Sequence, residues 1–264
     1  MTNDVQLRVI RALAYTGDRE WNISGVNDSY HTMYYVVAGN GHVRTGDRVT
    51  DLLPGHIYLI PRDVSHDLWC DTHIQKTYID FHVDLLPGYD ALQGVDKVLS
   101  VHAGMDTCQR MFEAVQKETV KDRTYVRGQI MTALSYFLPE TALDISPLML
   151  PFLPVIEDVQ KNLNASIRRE DYARQYGWHP SAFSRAFRKA FGVGFKEYVE
   201  RLLTDRLVEE MLVTDQTLQM LAAEWGFCDA YYLSAFFKRR TGISPEGYRR
   251  RRNRNIVTKK ENEP

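Results

Sequence analysis

The stretch Leu221–Arg249 reads LAAEWGFCDAYYLSAFFKRRTGISPEGYR and decides the fold of the carboxyl-terminal half. It places aromatic residues beside three consecutive basic ones. Its second part, YLSAFFKRRTGISPEGY (Tyr232–Tyr248), aligns with AFSRAFRKAFGVGFKEY (Ala182–Tyr198), 50 positions earlier. The two copies share serine, phenylalanine, glycine and tyrosine at equivalent positions. This half of the chain therefore contains an internal repeat.

Each copy follows the same short pattern, an alanine and then a glycine four positions on. These are Ala173 and Gly177 in the first copy and Ala222 and Gly226 in the second. A small alanine lets two helices pack closely, and glycine accepts backbone conformations that other residues resist. A helix, a glycine turn and a second helix make a helix-turn-helix. We predict two such units.

The second helix of each unit has an inward and an outward face. Aromatic and aliphatic residues recur at i and i+4, so Phe183, Phe187, Leu233 and Phe237 are expected to face inward. We expect Asp229 to cap one helix and Pro180 to occupy the first turn of the other. The outward or flanking positions are then Ser181, Ser184, Arg185, Arg188, Ala230, Tyr231, Ser234, Ala235 and Lys238.

The charges of the chain are divided unevenly. Residues 1–153 carry a net charge of -6 and residues 154–264 a net charge of +5, which together give the overall -1. An acidic half joined to a basic half indicates that one part handles something small while the other faces a polyanion. The opening sequence, MTNDVQLRVI, lacks the pattern of a signal peptide, so we expect a cytoplasmic protein without a membrane segment.

The two halves also differ in periodicity. From Tyr30 to about Val83 short strands alternate with turn residues, among them Gly39, Gly41, Gly46 and the Pro54-Gly55 pair, as in a small β-barrel. Helical spacing follows near 104–121 and 123–138, and a cluster of prolines then marks a connection. We place the domain boundary between 145 and 146. Beyond it we predict helices near 152–162, 169–176, 181–190, 195–213, 217–225, 230–240 and 245–252.

The repeated half resembles the AraC/XylS family of bacterial transcription regulators over about residues 150–252. Leu221–Arg249 fits the family pattern A-x3-G-F-x-D/S followed by F-K-x-x-x-G-x-S/T-P-x-x-Y-R. The resemblance implies binding to double-stranded DNA through the second helix of each unit. The implied DNA-binding residues are Ser181, Ser184, Arg185, Arg188, Tyr231, Ser234, Ala235 and Lys238. Ala235 and Leu203 depart from the family, which often carries arginine at both positions.

The amino-terminal half looks like the sensor of that family, a cupin-type barrel that binds a small effector and dimerises. Gly55, Pro61, Asp63 and His66 keep the spacing of the second cupin motif, with Asp63 in place of glycine. The first motif, which should supply an HxH pair and a glutamate, is absent, since Val26, Asp28 and Thr32 occupy its positions. A metal site needs three or four converging ligands. We therefore predict no metal and no cofactor.

The best candidates for the effector pocket are Tyr34, His66, Tyr78 and Asp80. In the strand KTYIDFHV, Tyr78, Asp80 and His82 alternate with Ile79, Phe81 and Val83, so the polar side chains share one face. Aromatic rings beside a few polar groups suit a sugar or a sugar derivative. The same residues could instead simply close a two-faced sheet.

The expected fold is thus α+β, with a cupin-like barrel and two helices in residues 1–145 and two helix-turn-helix units in residues 146–264. We interpret the chain as a transcription regulator and not an enzyme, with DNA, a small effector, a second copy of itself and RNA polymerase as candidate partners. Two alternatives remain open. One is a metal-dependent cupin enzyme fused to a DNA-binding domain, and the other is a constitutive regulator whose barrel only dimerises.

Overall fold

The computed structural model describes residues 5–117, 119–138 and 145–254, with side chains to residue 250. The chain forms two compact units. The first, called here the sheet unit, contains Leu7–Val83 and most of 92–138. The second, called the helical unit, contains Asp84–Ala91 and the described chain from 145 to 249. Among the described residues no helix is long and apolar enough to span a membrane.

One sheet of eight strands runs in the order β1-β6-β3-β5-β8, with β2 and β7 also paired to β6 and β4 to β3. The strands are β1 (Gln6–Asp18), β2 (Asn22–Val26), β3 (His31–Thr45), β4 (Arg48–Leu52), β5 (His56–Ile60), β6 (His66–Leu86), β7 (Tyr89–Asp90) and β8 (Leu99–His102). The predicted β region is confirmed between Tyr30 and Val83, while β1, β2, β7 and β8 lie outside it. The strand β1 carries two arginines among its apolar residues, which hides the pattern of a buried strand.

The long strands β3 and β6 pair antiparallel through the middle of the sheet, with Thr32 opposite Asp80 and Tyr34 opposite Tyr78. Their register shifts twice, between Val36 and Ala38 and between Gly39 and Gly41. The prediction of a turn at these two glycines was therefore wrong, because they lie inside β3 at a bulge. Glycine is found in bulges as well as in turns, so the sequence alone did not distinguish the two. Turns are present at Gly46 and at Pro54-Gly55 as predicted.

Two helices follow the strands, α1 (Met105–Ala114) and α2 (Val120–Phe137). The first is shorter than the predicted 104–121. Both are amphipathic, and the apolar stripe seen in the sequence is buried at Met111, Ile130 and Leu134. That stripe therefore packs within the chain, and a contact with a second copy would need other residues of these helices.

Besides a short 3-10 helix at Leu150–Phe152, the described residues of the helical unit form seven further α-helices, which match the seven predicted ones closely. They are α3 (Leu153–Lys161), α4 (Arg169–Gln175), α5 (Pro180–Phe191), α6 (Phe195–Val213), α7 (Leu218–Glu224), α8 (Ala230–Thr241) and α9 (Pro245–Arg254). The helix α6 packs against both α5 and α8. It buries residues around its whole circumference, as a central helix must. Leu203, where the family often carries arginine, is one of these buried residues.

The helical unit also includes a piece of chain from far upstream, the hairpin Asp84–Ala91. The Tyr198 hydroxyl of α6 donates a hydrogen bond to the Pro87 carbonyl. Gly88 has a φ of 70°, and a Cβ built there would lie 2.9 Å from a methyl carbon of Leu202. Glycine is therefore required where the hairpin meets α6. The buried carboxylate of Asp90 faces Arg201 at 4.0 Å.

Candidate DNA-binding and effector sites

Two helix pairs, α4 with α5 and α7 with α8, have the same local structure. The turns contain Gly177 and Gly226, whose φ angles are 73° and 71°. The next residue in each turn donates a backbone hydrogen bond of 2.8 Å to the carbonyl of the buried alanine, Ala173 or Ala222. Left-handed backbone at both turns explains why glycine recurs there. The predicted repeat is therefore a repeat of structure as well as sequence.

The second helices begin with different caps. Asp229 accepts a hydrogen bond of 2.6 Å from the amide of Tyr232, as predicted. Pro180 occupies the first turn of α5, also as predicted. The cap of α5 is the imidazole of His179, whose Nδ1 accepts from the Ser181 amide at 3.4 Å. Sequence reasoning missed it, because histidine is not among the usual capping residues.

The helix α5 has a buried and an exposed face. Phe183 and Phe187 are fully buried, as predicted. Ser181, Arg185 and Arg188 are exposed on the other side. Ser184 is half-buried, and its hydroxyl donates to the Pro180 carbonyl at 2.8 Å, so its proton is already bound within the helix. The exposed face of α5 is therefore mainly arginine.

The helix α8 presents a different exposed face. Leu233 and Phe237 are fully buried, as predicted, and Tyr231 is 85% exposed. Ala235 and Lys238 are exposed and Ser234 is half-buried. The helix α8 therefore presents an aromatic ring and a hydroxyl group where α5 presents arginines.

Only part of the basic run at the end of α8 is free to face a partner. Arg239 and Arg240 each lie 3.8 Å from a carboxylate oxygen of Glu200 on α6. Arg239 also lies over the ring of Phe236, 5.4 Å from its centroid. These two arginines therefore help to join α8 to α6. Of the three basic residues, Lys238 is the one that does not face Glu200.

In the sheet unit, the structure brings the four predicted effector residues together. Tyr34, His66, Tyr78 and Asp80 are all buried. Tyr34 and Tyr78 are direct partners across β3 and β6. The Asp80 carboxylate accepts two hydrogen bonds, one of 2.8 Å from the Thr32 hydroxyl and one of 2.5 Å from Arg11 Nε. Whether they contact an effector stays a prediction.

Burial and the neighbouring charges shift the pKa values in this cluster. Burial raises the pKa of the Tyr34 phenol, and the Asp80 carboxylate raises it further. Burial lowers the pKa of His66, whose Nδ1 lies 2.9 Å from the Val64 carbonyl oxygen. Both groups are therefore held in their neutral forms near pH 7. The cluster offers neutral hydrogen-bonding groups around one carboxylate–guanidinium pair.

Sequence reasoning missed Arg11 and Lys76 and gave Trp21 little weight. Lys76 is 2% exposed and lies on β6 between Ile74 and Tyr78. Its Nζ is 3.5 Å from the ring centroids of both Trp21 and Tyr34. The sequence pattern indicates that Lys76 belongs to this cluster, because Lys76, Tyr78 and Asp80 alternate along the strand and so lie on the same face.

The residues that keep the cupin spacing do not fit a metal site. Asp63 has a φ of 60°, a left-handed conformation that explains why glycine is usual there. Among the motif positions only Asp63 and His66 are metal-ligand types, and His66 Nδ1 lies 2.9 Å from the Val64 carbonyl oxygen. Within the described residues no group of three His, Cys, Asp or Glu side chains could hold a metal ion.

A separate groove of about 420 Å³ lies between α1 and α2. Charged and polar side chains line it, including Arg110, Glu113, Lys121 and Asp122. The Arg110 guanidinium lies over the ring of Tyr125, 4.3 Å from its centroid. This groove shares no residue with the cluster around Asp80, so the two are distinct features of the sheet unit.

Two family models match the chain. A model described as an AraC-like ligand binding domain matches residues 20–138, and a model of a helix-turn-helix domain matches residues 172–251. The first covers the sheet and its two helices, and the second covers both helix pairs.

Two known regulators are also similar to this chain in sequence. The regulatory protein PocR of Salmonella typhimurium is 28% identical over 97 residues, which cover 37% of this chain and 32% of PocR. The transcriptional activator RhaR of Pectobacterium carotovorum is 26% identical over 183 residues, covering 63% of this chain and 61% of RhaR. The chain thus matches about a third of one relative and under two thirds of the other.

Among solved structures, unsaturated fatty acid bound ToxT from Vibrio cholerae is similar with a TM-score of 0.52 at 12% identity, covering 92% of this chain and 94% of ToxT. At that identity the likeness shows the fold alone. It agrees with a sheet-rich unit followed by a helical unit with two helix-turn-helix pairs. With both family models in their expected order, the chain belongs to the AraC family of DNA-binding transcription regulators, with a ligand-binding domain ahead of the helix-turn-helix domain.

Proposed function

We propose that this regulator reads DNA through the exposed faces of α5 and α8 and responds to a small effector, a sugar or a sugar derivative, bound by the sheet unit. The proposal that the protein binds DNA rests on the duplicated helix pair. The second helix of each pair exposes polar and basic side chains and buries aromatic ones. The DNA-binding residues in this proposal are Ser181, Ser184, Arg185, Arg188, Tyr231, Ser234, Ala235 and Lys238.

The side chains differ in their proposed roles. Arg185 is the best candidate for reading a base, since an arginine fork pairs with the two acceptors of guanine in the major groove. Arg188 and Lys238 are suited to phosphates, because long basic side chains near a helix end contact the DNA backbone. Tyr231 and Ser234 supply the readout of α8, where Ala235 offers no hydrogen bond.

The length of α6 supports binding by both helices at once. It has 19 residues and is therefore about 28 Å long. One turn of DNA is about 34 Å. A helix of that length between α5 and α8 suits two successive major grooves on one side of the duplex.

The effector part rests on the buried cluster of Tyr34, His66, Tyr78 and Asp80. Aromatic rings next to a fixed carboxylate are typical of sites that bind the faces and hydroxyl groups of a sugar. The fatty acid held by ToxT, a protein of similar fold, makes an aliphatic acid the second candidate.

The remaining parts of the proposal follow the family. The protein regulates transcription without catalysing a reaction, acts in the cytoplasm as a homodimer, and contacts RNA polymerase. The exposed apolar residues Met131 and Tyr136 of α2 are candidates for the surface between the two copies.

The test of the DNA part is a genome-wide map of binding sites followed by fluorescence anisotropy with the sites found. We expect affinity to fall steeply with salt, because each phosphate contact releases counterions. An affinity that does not respond to salt would contradict the proposed contacts of Arg188 and Lys238. Repeating the measurement with neutral sugars, acids and no addition tests the effector part, since an effector must change DNA affinity.

A further inference from the structure

The buried cluster of the sheet unit contains two basic side chains but only one carboxylate that neutralises them. Both carboxylate oxygens of Asp80 accept a hydrogen bond, one from the Thr32 hydroxyl and one from Arg11 Nε. Its charge is therefore matched by Arg11. Lys76 is left without a carboxylate in contact among the described residues, although it is 2% exposed.

Three aromatic rings take the place of an acceptor around Lys76. Its Nζ lies 3.5 Å from the ring centroids of Trp21 and Tyr34 and 5.7 Å from that of Tyr15. Ring faces attract a cation but are not ordinary hydrogen-bond acceptors, so these rings do not satisfy the three donors of the ammonium group. Burial lowers the pKa of Lys76 strongly, and the Cys70 thiol and Asp80 carboxyl counter this only in part.

Other donors in the same cluster are also unused. The Tyr78 hydroxyl and Arg11 Nη1 are buried and have no hydrogen-bond partner in the described protein. The two are neighbours, since the Arg11 guanidinium lies 5.2 Å from the centroid of the Tyr78 ring. Buried donors are normally satisfied, so such a group indicates a missing acceptor.

An anionic acceptor with more than one oxygen fits these donors. A carboxylate has two oxygens with about four acceptor positions, enough for an ammonium group and for a further donor. A carboxylate beside Nζ would also favour the charged form of Lys76 and so oppose the effect of burial on its pKa, which a hydroxyl group does far less. The surrounding rings of Trp21, Tyr34 and Tyr15 would then cover the carbon skeleton of the ligand.

We propose that this cluster binds the carboxylate of a small organic acid, with Lys76 as its counterion and Tyr78 and Arg11 as further donors. This inference rests on the proposed function, in which the same cluster holds the effector. It narrows the effector from a polar molecule in general to an acid, and it predicts that an uncharged sugar alone is not sufficient.

The experiment is isothermal titration calorimetry on the full chain without DNA. The probes are D-galacturonate and D-gluconate as sugar acids, octanoate and palmitoleate as aliphatic acids, and D-galactose as the uncharged match. We expect one of the acid classes to bind and D-galactose to bind far more weakly. The class that binds identifies the source of the carboxylate. Absence of binding by all four acids, or equal binding of D-galactose and D-galacturonate, would overturn the inference.

Variants then assign the role of Lys76. Lys76→Met keeps the unbranched stem but removes the charge, and we expect the acid to bind at least about 30-fold more weakly, as for a buried charge pair that loses one partner. The exposed Lys97→Met is the matched control and should bind as the wild type does. Tyr78→Phe, which keeps the ring, should weaken binding by about 3-fold to 10-fold.

These variants also remain informative if folding changes. Lys76→Met replaces a buried amine that has no carboxylate in contact with an apolar side chain of similar length, so the unliganded variant is expected to unfold at a higher temperature than the wild type. If it fails to fold, Tyr78→Phe still tests the site. A Lys76→Met or Tyr78→Phe protein that binds the acid as tightly as the wild type contradicts our proposal. Because no DNA is present, this result is independent of whether the acid alters DNA binding.

Discussion

The two helix-turn-helix units share their backbone but differ in what supports them and in what they expose. The first unit has a core of packed aromatic rings and exposes arginines on α5. Among the described residues the second has fewer aromatic ring pairs, is joined to α6 by ion pairs of Glu200, and exposes a tyrosine and an alanine on α8. Duplication has thus preserved the turn and the buried positions while the exposed positions have diverged, as expected when the fold constrains only the buried ones.

The largest difference should appear in the cores. Phe187 has five ring neighbours, among them Phe191 with centroids 4.5 Å apart, whereas Phe237 has Tyr248 at 5.3 Å. Replacing a buried phenylalanine by alanine costs about 3–5 kcal/mol. We expect Phe187→Ala to lower the free energy of unfolding by more than Phe237→Ala does, because each aromatic pair adds about 0.5–1.5 kcal/mol. Urea unfolding of both variants measures the difference, and a larger loss for Phe237→Ala would contradict the ranking.

The next difference concerns sequence readout, for which Arg185 and Ala235 are equivalent positions. We expect Arg185→Ala to reduce the preference for a specific site over random DNA by about 1–3 kcal/mol. The reciprocal change, Ala235→Arg, should create a new preference at the half-site bound by α8. Anisotropy with matched specific and scrambled duplexes measures both, with Arg48→Ala in the sheet unit as the control. Equal weakening on both duplexes by Arg185→Ala would assign it to phosphate contact.

The caps should differ by a smaller amount. Losing an aspartate cap costs about 0.5–2 kcal/mol, so Asp229→Ala should destabilise α8 by that order. The bond from the Ser181 amide to His179 is 3.4 Å long against 2.6 Å for the bond to Asp229, so His179→Ala should cost less. Thermal unfolding of the two variants gives the comparison. A larger effect at His179 would mean that its contact with the Ser181 hydroxyl, at 2.9 Å, matters more than the amide.

The smallest expected change in stability belongs to Glu200→Gln. Partly exposed ion pairs contribute about 0–1 kcal/mol, so the fold should hardly respond. The change would release Arg239 and Arg240 for DNA, and the salt dependence of binding should steepen by about 0.9 in the logarithmic slope for each new phosphate contact. Glu197→Gln on the same helix is the matched control. An unchanged slope would show that the two arginines do not reach the phosphates even when released.

Much of the helical unit could be predicted from sequence, because its signals are local. Gly177, Gly226, Asp229 and the phenylalanines at i and i+4 each constrain the few residues around them. The sheet unit was harder, because a bulge and a turn attract the same residue, as Gly39 shows. Lys76 was missed for another reason. A lysine in a strand usually reaches solvent, so its two-residue period alone was not enough, and Tyr15 of β1, Trp21 and Tyr34 of β3 enclose this one.

The hairpin Asp84–Ala91 has a practical consequence for dividing this protein. A fragment beginning at residue 146, the boundary expected from sequence, would carry both helix pairs but would lack the chain that covers Tyr198 and Leu202. Such a fragment would have a notch in its surface shaped for a glycine-centred loop, and Tyr198 would lose its acceptor. A synthetic peptide of residues 84–91 added to the fragment should therefore restore the missing piece in trans, as in split-protein complementation. The chain forms two compact units, and the sequences of these units are interleaved.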